Sequence, residues 1–404
     1  MSLVTGTPRV LILALSNWIG APRLPRAFRR AGFHVTTFGF SGLLIQRSQA
    51  VDEALLLPET ISNDALLEAL LVAVERGRVD IVIPTDDASI ILLHGAAALA
   101  QRASVPEQTR AVFAASLGDL RHLPTVRSRK LLANMAASVG VRAPRHGIIF
   151  SEAEALAFVA QHGYPVVLKE EDSVAGMGVS ICKNEAELAA ATLRCRRNPV
   201  IFAAGVLLQT FVEGRTAMRV VVAQRGRVLA GLSAIKLETW PTSTGPSTCV
   251  EVFEHPELAA TAETVVSALG YSGFASLDFM LGADGQAHLI ELNPRPTPIA
   301  HLGERFGACL CRHLHAALTG KPTNAAQPHG LPSRVALFPQ EWVRDPNSAH
   351  LAAGVFHDAP WDEPDLVEAY TVFARGQMRF AAYRALGQRR EDLRAKLVEL
   401  EKSL

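Results

Sequence analysis

Residues 9–15 form an unbroken apolar run after Arg9, as a strand buried on both faces does. Gly20 follows, then an amphipathic stretch over 21–30 and a second strand-like segment over 33–38. A helix-like segment at 64–76 leads into a strand at 80–84, and an apolar helix follows near 88–100. This alternation predicts a doubly wound α/β domain ending near residue 124. A helix then runs from Thr125 through Lys130 to about Ser138 and is closed by Gly140-Val-Arg-Ala-Pro144.

Farther along, the pattern predicts a strand at 147–150 and a helix opened by Ser151, with Glu154 three residues on as in a capping box. A strand at 165–169, a glycine-bearing loop at 171–178, a strand at 178–182 and a helix at 184–194 come next. Strands then dominate, at 206–212, 217–224, 227–236 and 247–253. One helix (256–269) precedes two strands, 274–281 and 286–292, joined by a turn around 282–285. A helix over 303–318 ends at Gly320, residues 321–334 read as a linker, and the tail holds a β-like piece at 334–338 and a charged helix at 387–402.

A chain of 404 residues calls for two to four domains. With 49% hydrophobic and 20% charged residues it can bury a large core, and a net charge of +1 without a basic stripe argues against nucleic acid as a partner. No run reaches the roughly 18 apolar residues of a bilayer span, and the start lacks the order of a signal peptide. The five cysteines, Cys182, Cys195, Cys249, Cys309 and Cys311, are scattered, which reads as buried thiols in a cytoplasmic chain.

Neither GxGxxG nor GxxxxGK[ST] follows the first strand, so a nucleotide is not held there by either of those loops. The richest chemistry lies at Asp278 and Glu291-Leu-Asn293-Pro-Arg295. Residues two apart on a strand leave one face about 7 Å apart, and the turn brings Asp278 alongside. Two carboxylates and an amide oxygen are hard ligands suited to Mg²⁺ that shares its remaining positions with phosphate; ordinary strand-edge acids are the alternative. Lys169 ends the apolar strand and projects a point charge, and Gly176 and Gly178 in the next loop let backbone N–H groups approach phosphate. Asp86 and Asp87 stand at the carboxyl end of the strand at 80–84, where open sheets bind ligands; helix capping accounts for at least one of them. His301 reads as loop support, and His313 and His315 face different ways on their helix. Trp342 and Trp361 read as packing or interface anchors.

In this order of motifs, residues 125–320 resemble an ATP-grasp ligase, preceded by the α/β domain usual for that superfamily. The resemblance implies a Rossmann-like domain over 1–124, a first lobe over 125–205, a second lobe over 206–320, and a linker with a small C-terminal α/β region over 321–404. It makes Lys130 and Lys169 the nucleotide lysines, residues 173–178, with Ser173, Gly176 and Gly178, the phosphate loop, and Gln209, Phe211, Val212 and Glu213 the adenine hinge. Asp278, Glu291 and Asn293 match the Mg²⁺ ligands (with Mn²⁺ as a substitute), Arg295 the arginine at the transferred phosphate, and Lys236 a further phosphate contact. Three positions depart from the family: Gln209 stands where glutamate is common, Thr216 where a ribose-binding glutamate is expected, and Ser276 where several ligases carry arginine.

The implied reaction uses ATP to make an acyl phosphate from a small-molecule carboxylate and joins it to an amine, releasing ADP and phosphate. Bicarbonate chemistry, as in carbamoyl-phosphate synthases or carboxylases, and a non-catalytic ATP-binding regulator are the alternatives. No membrane or nucleic-acid partner is expected, and family habit leaves a homodimer open.

Overall fold

The computed structural model describes residues 4–102, 104–171, 178–198, 202–323 and 332–386, with side chains to residue 376. The expected alternation at the start gives a parallel sheet of β1 (Arg9–Leu13), β2 (His34–Phe40), β3 (Glu53–Leu57) and β4 (Ile81–Pro84), in the order β3-β2-β1-β4. Successive side chains of a strand leave opposite faces, so β1 feeds two cores. Leu11 and Leu13 pack under the helices Asn63–Arg76, Asp87–Leu99 and Glu107–Leu117, with Leu70, Leu93 and Phe113. Val10 and Ile12 pack on the opposite side with Phe28 of the helix Leu24–Arg30.

A four-stranded antiparallel sheet follows, built from β5 (His146–Ile149), β6 (Val166–Lys169), β7 (Val179–Cys182) and β8 (Val206–Thr210) in the order β5-β8-β6-β7. The helices Glu152–His162 and Glu185–Arg196 close one face over Ala155, Val166, Leu188 and Leu208. Ser151 caps the first of these helices by accepting from the Glu154 N–H, while Glu154 reaches back to the N–H of Phe150.

Seven strands form the largest sheet: β9 (Gly214–Gln224), β10 (Arg227–Thr239), β11 (Ser247–Val252), β12 (Gly273–Gly282), β13 (Ala287–Asn293), β14 (Arg334–Leu337) and β15 (Phe356–Asp358). Their order is β13-β12-β9-β10-β11-β14-β15. The helix Pro256–Ala268 and residues Val126, Leu132 and Ala136 cover one face. The other face shares a core with the first sheet: Met218, Val220, Ala234 and Phe274 meet Val10, Ile12 and Phe28, with the Phe28 and Phe274 rings edge-on at 5.8 Å. That continuous packing fixes the carboxyl ends of β1 and β4 over the seven-stranded sheet.

Two expected helices are interrupted. The segment from 125 to 138 breaks at Ser128, whose extended backbone makes it the cap of a new helix, Arg129–Ser138, after Leu123–Arg127. The segment from 303 to 318 becomes a short 3-10 turn, Ala300–Glu304, and a helix, Leu310–Thr319, because Gly307 turns into the left-handed region at φ 81°. The tail is joined to the rest of the fold: β14 pairs antiparallel with β11, and Glu363 accepts from Ser48 and the N–H of Gln49 between β2 and β3. The helix Pro364–Leu386 was not foreseen, and the charged helix expected at 387–402 lies outside the described residues. The five cysteines are free and buried, and burial pushes the Cys195 thiol up to about 11 and that of Cys249 up to about 12.

Candidate active site

A cavity of about 520 Å³ lies where the three sheets meet. Its floor is the β12–β13 pair, whose register sets Asp278 opposite Glu291 and Ser276 opposite Asn293. Glu291 and Asn293 share a strand face and line the cavity with Asp278, while Leu292 between them packs into the core behind. Lys236 on β10 reaches across β9 to Asp278, Nζ to Oδ2 at 2.8 Å. From the four-stranded sheet Lys169 enters at the end of β6, and its Nζ donates to the Ile290 carbonyl at 3.2 Å.

Arg129 was not foreseen. The break at Ser128 makes Arg129 the first residue of its helix and turns it into the cavity. Its Nε and one terminal nitrogen donate to Glu291 Oε1 at 3.0 and 2.8 Å, and the other donates to the Glu170 and Glu171 carbonyls. The family resemblance points instead to the neighbouring Lys130, which holds the Ala204 and Gly205 carbonyls at 2.6 and 3.2 Å and does not line the cavity.

Lys169 is 8% exposed, and loss of water pushes its ammonium down from 10.5 to about 8. Arg129 adds to that push, while Glu291 and Asp278 oppose it. For Glu291, burial favours the neutral acid, but the charge and hydrogen bonds of Arg129, with Lys169 and Lys236, outweigh it and hold the carboxyl below its ordinary range. No three His, Cys, Asp or Glu side chains converge on one point among the described residues. The donors at the floor are therefore two carboxylates and the Asn293 amide, which suits a hard cation that completes its shell with phosphate oxygens and water.

At the other sheet's end, Gln209, Phe211 and Val212 line the cavity. Gln209 is buried and Phe211 donates its N–H to the Pro165 carbonyl. Met218, Met280 and Thr216 face them from the seven-stranded sheet. Glu213 points to solvent and does not line the cavity, so Thr216 is the nearer polar group to that end. Gly178 is buried outside the lining, its carbonyl accepting from the Glu170 N–H; Ser173 and Gly176 lie outside the described residues.

The third end is formed by the loops after β1 and β4 together with the loop after β13. Arg295 is 5% exposed; its Nε donates to Asp87 Oδ1 at 3.1 Å and its guanidinium lies 4.2 Å over the Trp18 ring. The structure separates the two adjacent aspartates that the sequence left together. Asp86 is buried, caps the helix Asp87–Leu99 through the Ser89 N–H and accepts from the N–H groups of Leu15 and Ser16. Asp87 turns into the cavity. His301 instead pairs with buried Asp358 at 2.9 Å beside Arg23, which ties the loop after Arg295 to β15. His313 and His315 diverge as expected, toward the Cys309 carbonyl and the Phe33 ring.

Residues 128–301 match the family model described as "Carbamoyl-phosphate synthase L chain, ATP binding domain". The carbamoyl phosphate synthase large chain of Thermotoga neapolitana is 28% identical over 179 residues, which is 41% of this chain and 16% of that one. The D-alanine--D-alanine ligase of Geobacter sulfurreducens is 26% identical over 144 residues, 33% of this chain and 44% of that one. The chain thus spans less than half the length of either relative. Among solved structures, a biotin carboxylase–β,γ-ATP complex from Campylobacter jejuni superposes with a TM-score of 0.62 at 14% identity, covering 80% of this chain and 73% of that one. The matched segment contains the β12–β13 floor together with Arg129, Lys169, Lys236 and Arg295, and the fold around it is shared: residues 128–301 belong to the ATP-grasp ligase superfamily.

Proposed function

We propose that this chain is an ATP- and Mg²⁺-dependent ligase that activates a carboxylate as an acyl phosphate and passes the acyl group to an amine. The observation that carries the reading is the cavity floor, where Asp278 and Glu291 sit opposite each other with Lys169, Lys236 and Arg129 at hand. In the proposed arrangement the adenine lies between the hinge at 209–212 and Met218 and Met280, and the triphosphate runs toward Lys169 and Lys236. Asp278, Glu291 and Asn293 would hold Mg²⁺, which neutralises phosphate charge. We assign 1–124 as the first domain, 125–205 and 206–320 as the lobes that grip the nucleotide, and 321–404 as a C-terminal region. The proposed setting is the cytoplasm, where ATP is supplied.

Phosphoryl transfer asks a protein for positioning and charge neutralisation more than for a covalent nucleophile. A carboxylate oxygen attacks the γ-phosphorus in line, the bond to the β,γ-bridging oxygen breaks, and ADP leaves. The amine nitrogen then attacks the acyl carbon, phosphate departs, and the nitrogen gives up its proton. Arg295, held by Asp87 and the Trp18 face, would steady the carboxylate and then the acyl phosphate, a role that its fixed position supports. Removing one such preorganised contact costs on the order of 10²–10³ in rate. Lys169→Ala and Glu291→Ala are therefore expected to lose nearly all ADP release in a screen of paired amino acids and small carboxylates, with the product identified by mass spectrometry. Wild-type turnover by both purified variants overturns the assignment.

A further inference from the structure

We infer that the first-domain end of the cavity reads an α-amino acid as the carboxylate substrate, with Asp87 as the residue that selects its ammonium group. This rests on the ligase reading above and names the substrate class at that site.

Three residues lining this end carry buried polar atoms with no hydrogen-bond partner among the described residues: Trp18 Nε1, Thr297 Oγ1 and one terminal nitrogen of Arg295. Buried polar atoms are paired in the great majority of cases, so three orphans around one cavity point to a polar ligand that completes them. Arg295 supplies a fixed cation there, buried to 5% exposure and stacked on Trp18. Asp87 is its neighbour at 3.1 Å and lines the same cavity, yet its side chain is 45% exposed. Capping does not account for Asp87, because Asp86 already caps the helix.

A cation and an anion side by side complement a ligand whose anion and cation are side by side. An α-amino acid has that form, with carboxylate and ammonium both attached to its α-carbon. Its carboxylate meets the spare guanidinium nitrogen, and its ammonium meets the open oxygen of Asp87. A plain carboxylic acid brings only negative charge and faces Asp87 as a like charge, which disfavours it. Ile90, Ile91, Pro298 and the Trp18 ring are the apolar walls beside this pair and favour an apolar side chain. The preference arises from the first domain, since Trp18 and Asp87 follow β1 and β4 at their carboxyl ends.

The test is calorimetric titration of the full chain with a non-hydrolysable ATP analogue and Mg²⁺, then with L-leucine, L-methionine and L-phenylalanine, each beside the same acid lacking its amino group. The wild type is expected to bind at least one amino acid and to bind its deaminated partner roughly 10–100-fold more weakly, the range for losing one charged hydrogen bond. Asp87→Asn, checked for folding by its thermal melt, is expected to lose that preference, its affinity falling for the amino acid and not for the deaminated acid. Equal binding of the two classes by the wild type, an unchanged preference in Asp87→Asn, or no binding of any of the three amino acids overturns the inference. Failure of the nucleotide analogue to bind counts against the ligase reading instead, and the amino-acid titrations run without nucleotide then still decide the role of Asp87.

Discussion

The depressed ammonium of Lys169 gives the proposed nucleotide site a pH dependence that can be worked out in advance. Burial moves the group from 10.5 to about 8, a shift worth about 3 kcal/mol between its two protonation states. In the free protein about nine-tenths of Lys169 is charged at pH 7, about half at pH 8 and about a tenth at pH 9. A triphosphate binds the charged form, and apparent affinity falls with the fraction of competent protein. The dissociation constant of a non-hydrolysable ATP analogue with Mg²⁺ should therefore rise by roughly tenfold between pH 7 and pH 9. Binding must also take up protons, about half a proton per site at pH 8 and about 0.9 at pH 9. Calorimetry in buffers of different ionisation heat measures that uptake directly. Lys169→Arg serves as the control, since guanidinium does not titrate here and both effects should vanish. The stability sign is opposite in sense. Between pH 8 and 10.5 the unfolded chain binds more protons at this residue than the folded one, so its contribution to stability rises with pH across that window. A flat affinity from pH 7 to 9 with no proton uptake refutes the claim that Lys169 is the phosphate cation.

Two further outcomes are expected. Arg129→Met removes the main influence that lowers the Glu291 carboxyl, so the acid limb of ADP release should move to higher pH, alongside a rate loss on the order of 10²–10³; an unshifted limb shows that Arg129 does not tune Glu291. Gly20→Ala would set a methyl 2.8 Å from the Pro298 Cα, so the Trp18 loop must back away from the loop that carries Arg295. A melting experiment should show a loss of roughly 1–3 kcal/mol, the usual cost of overpacking, and the KM for the carboxylate should rise more than that for ATP.

Much of this was legible because it is local. Apolar runs and caps located β1, β4, β6 and β10, and the spacing of Glu291 and Asn293 put them on one face before any register was known. Elements carrying little local signal were missed. The strand β3 is an edge strand with four of its five residues at least partly exposed, and β15 has only three residues. The helix Glu107–Leu117 carries a weak apolar stripe after Pro106. Contacts made by distant residues were harder still. Arg129 meets Glu291 across 162 residues and Asp87 meets Arg295 across 208, and nothing in the intervening pattern encodes those approaches. The resemblance marks Lys130 and passes over Arg129, whose place at the start of a new helix follows from the restart at Ser128, which reading the helix as continuous hides.

The partners that the floor acids hold in this structure bear on how the site would work. Carboxylates in a cavity with little water need counter-charge, and here Lys236 supplies it to Asp278 and Arg129 to Glu291. With Lys169, three cations stand over two acids, a net positive charge of one. Under the proposed reading a magnesium–nucleotide complex, itself net negative, enters with an exchange of partners: the acids turn to the metal and the freed cations to phosphate oxygens. Few charges are then left uncompensated at any stage, and the lysines need not be brought from solvent. The same economy holds at the other end of the cavity, where Arg295 and Asp87 neutralise each other and each keeps an atom open to a ligand bearing both charges. A cavity that is internally paired before binding selects ligands that re-pair it, which is why the amino group, and not the carboxylate common to every candidate acid, is expected to decide the substrate.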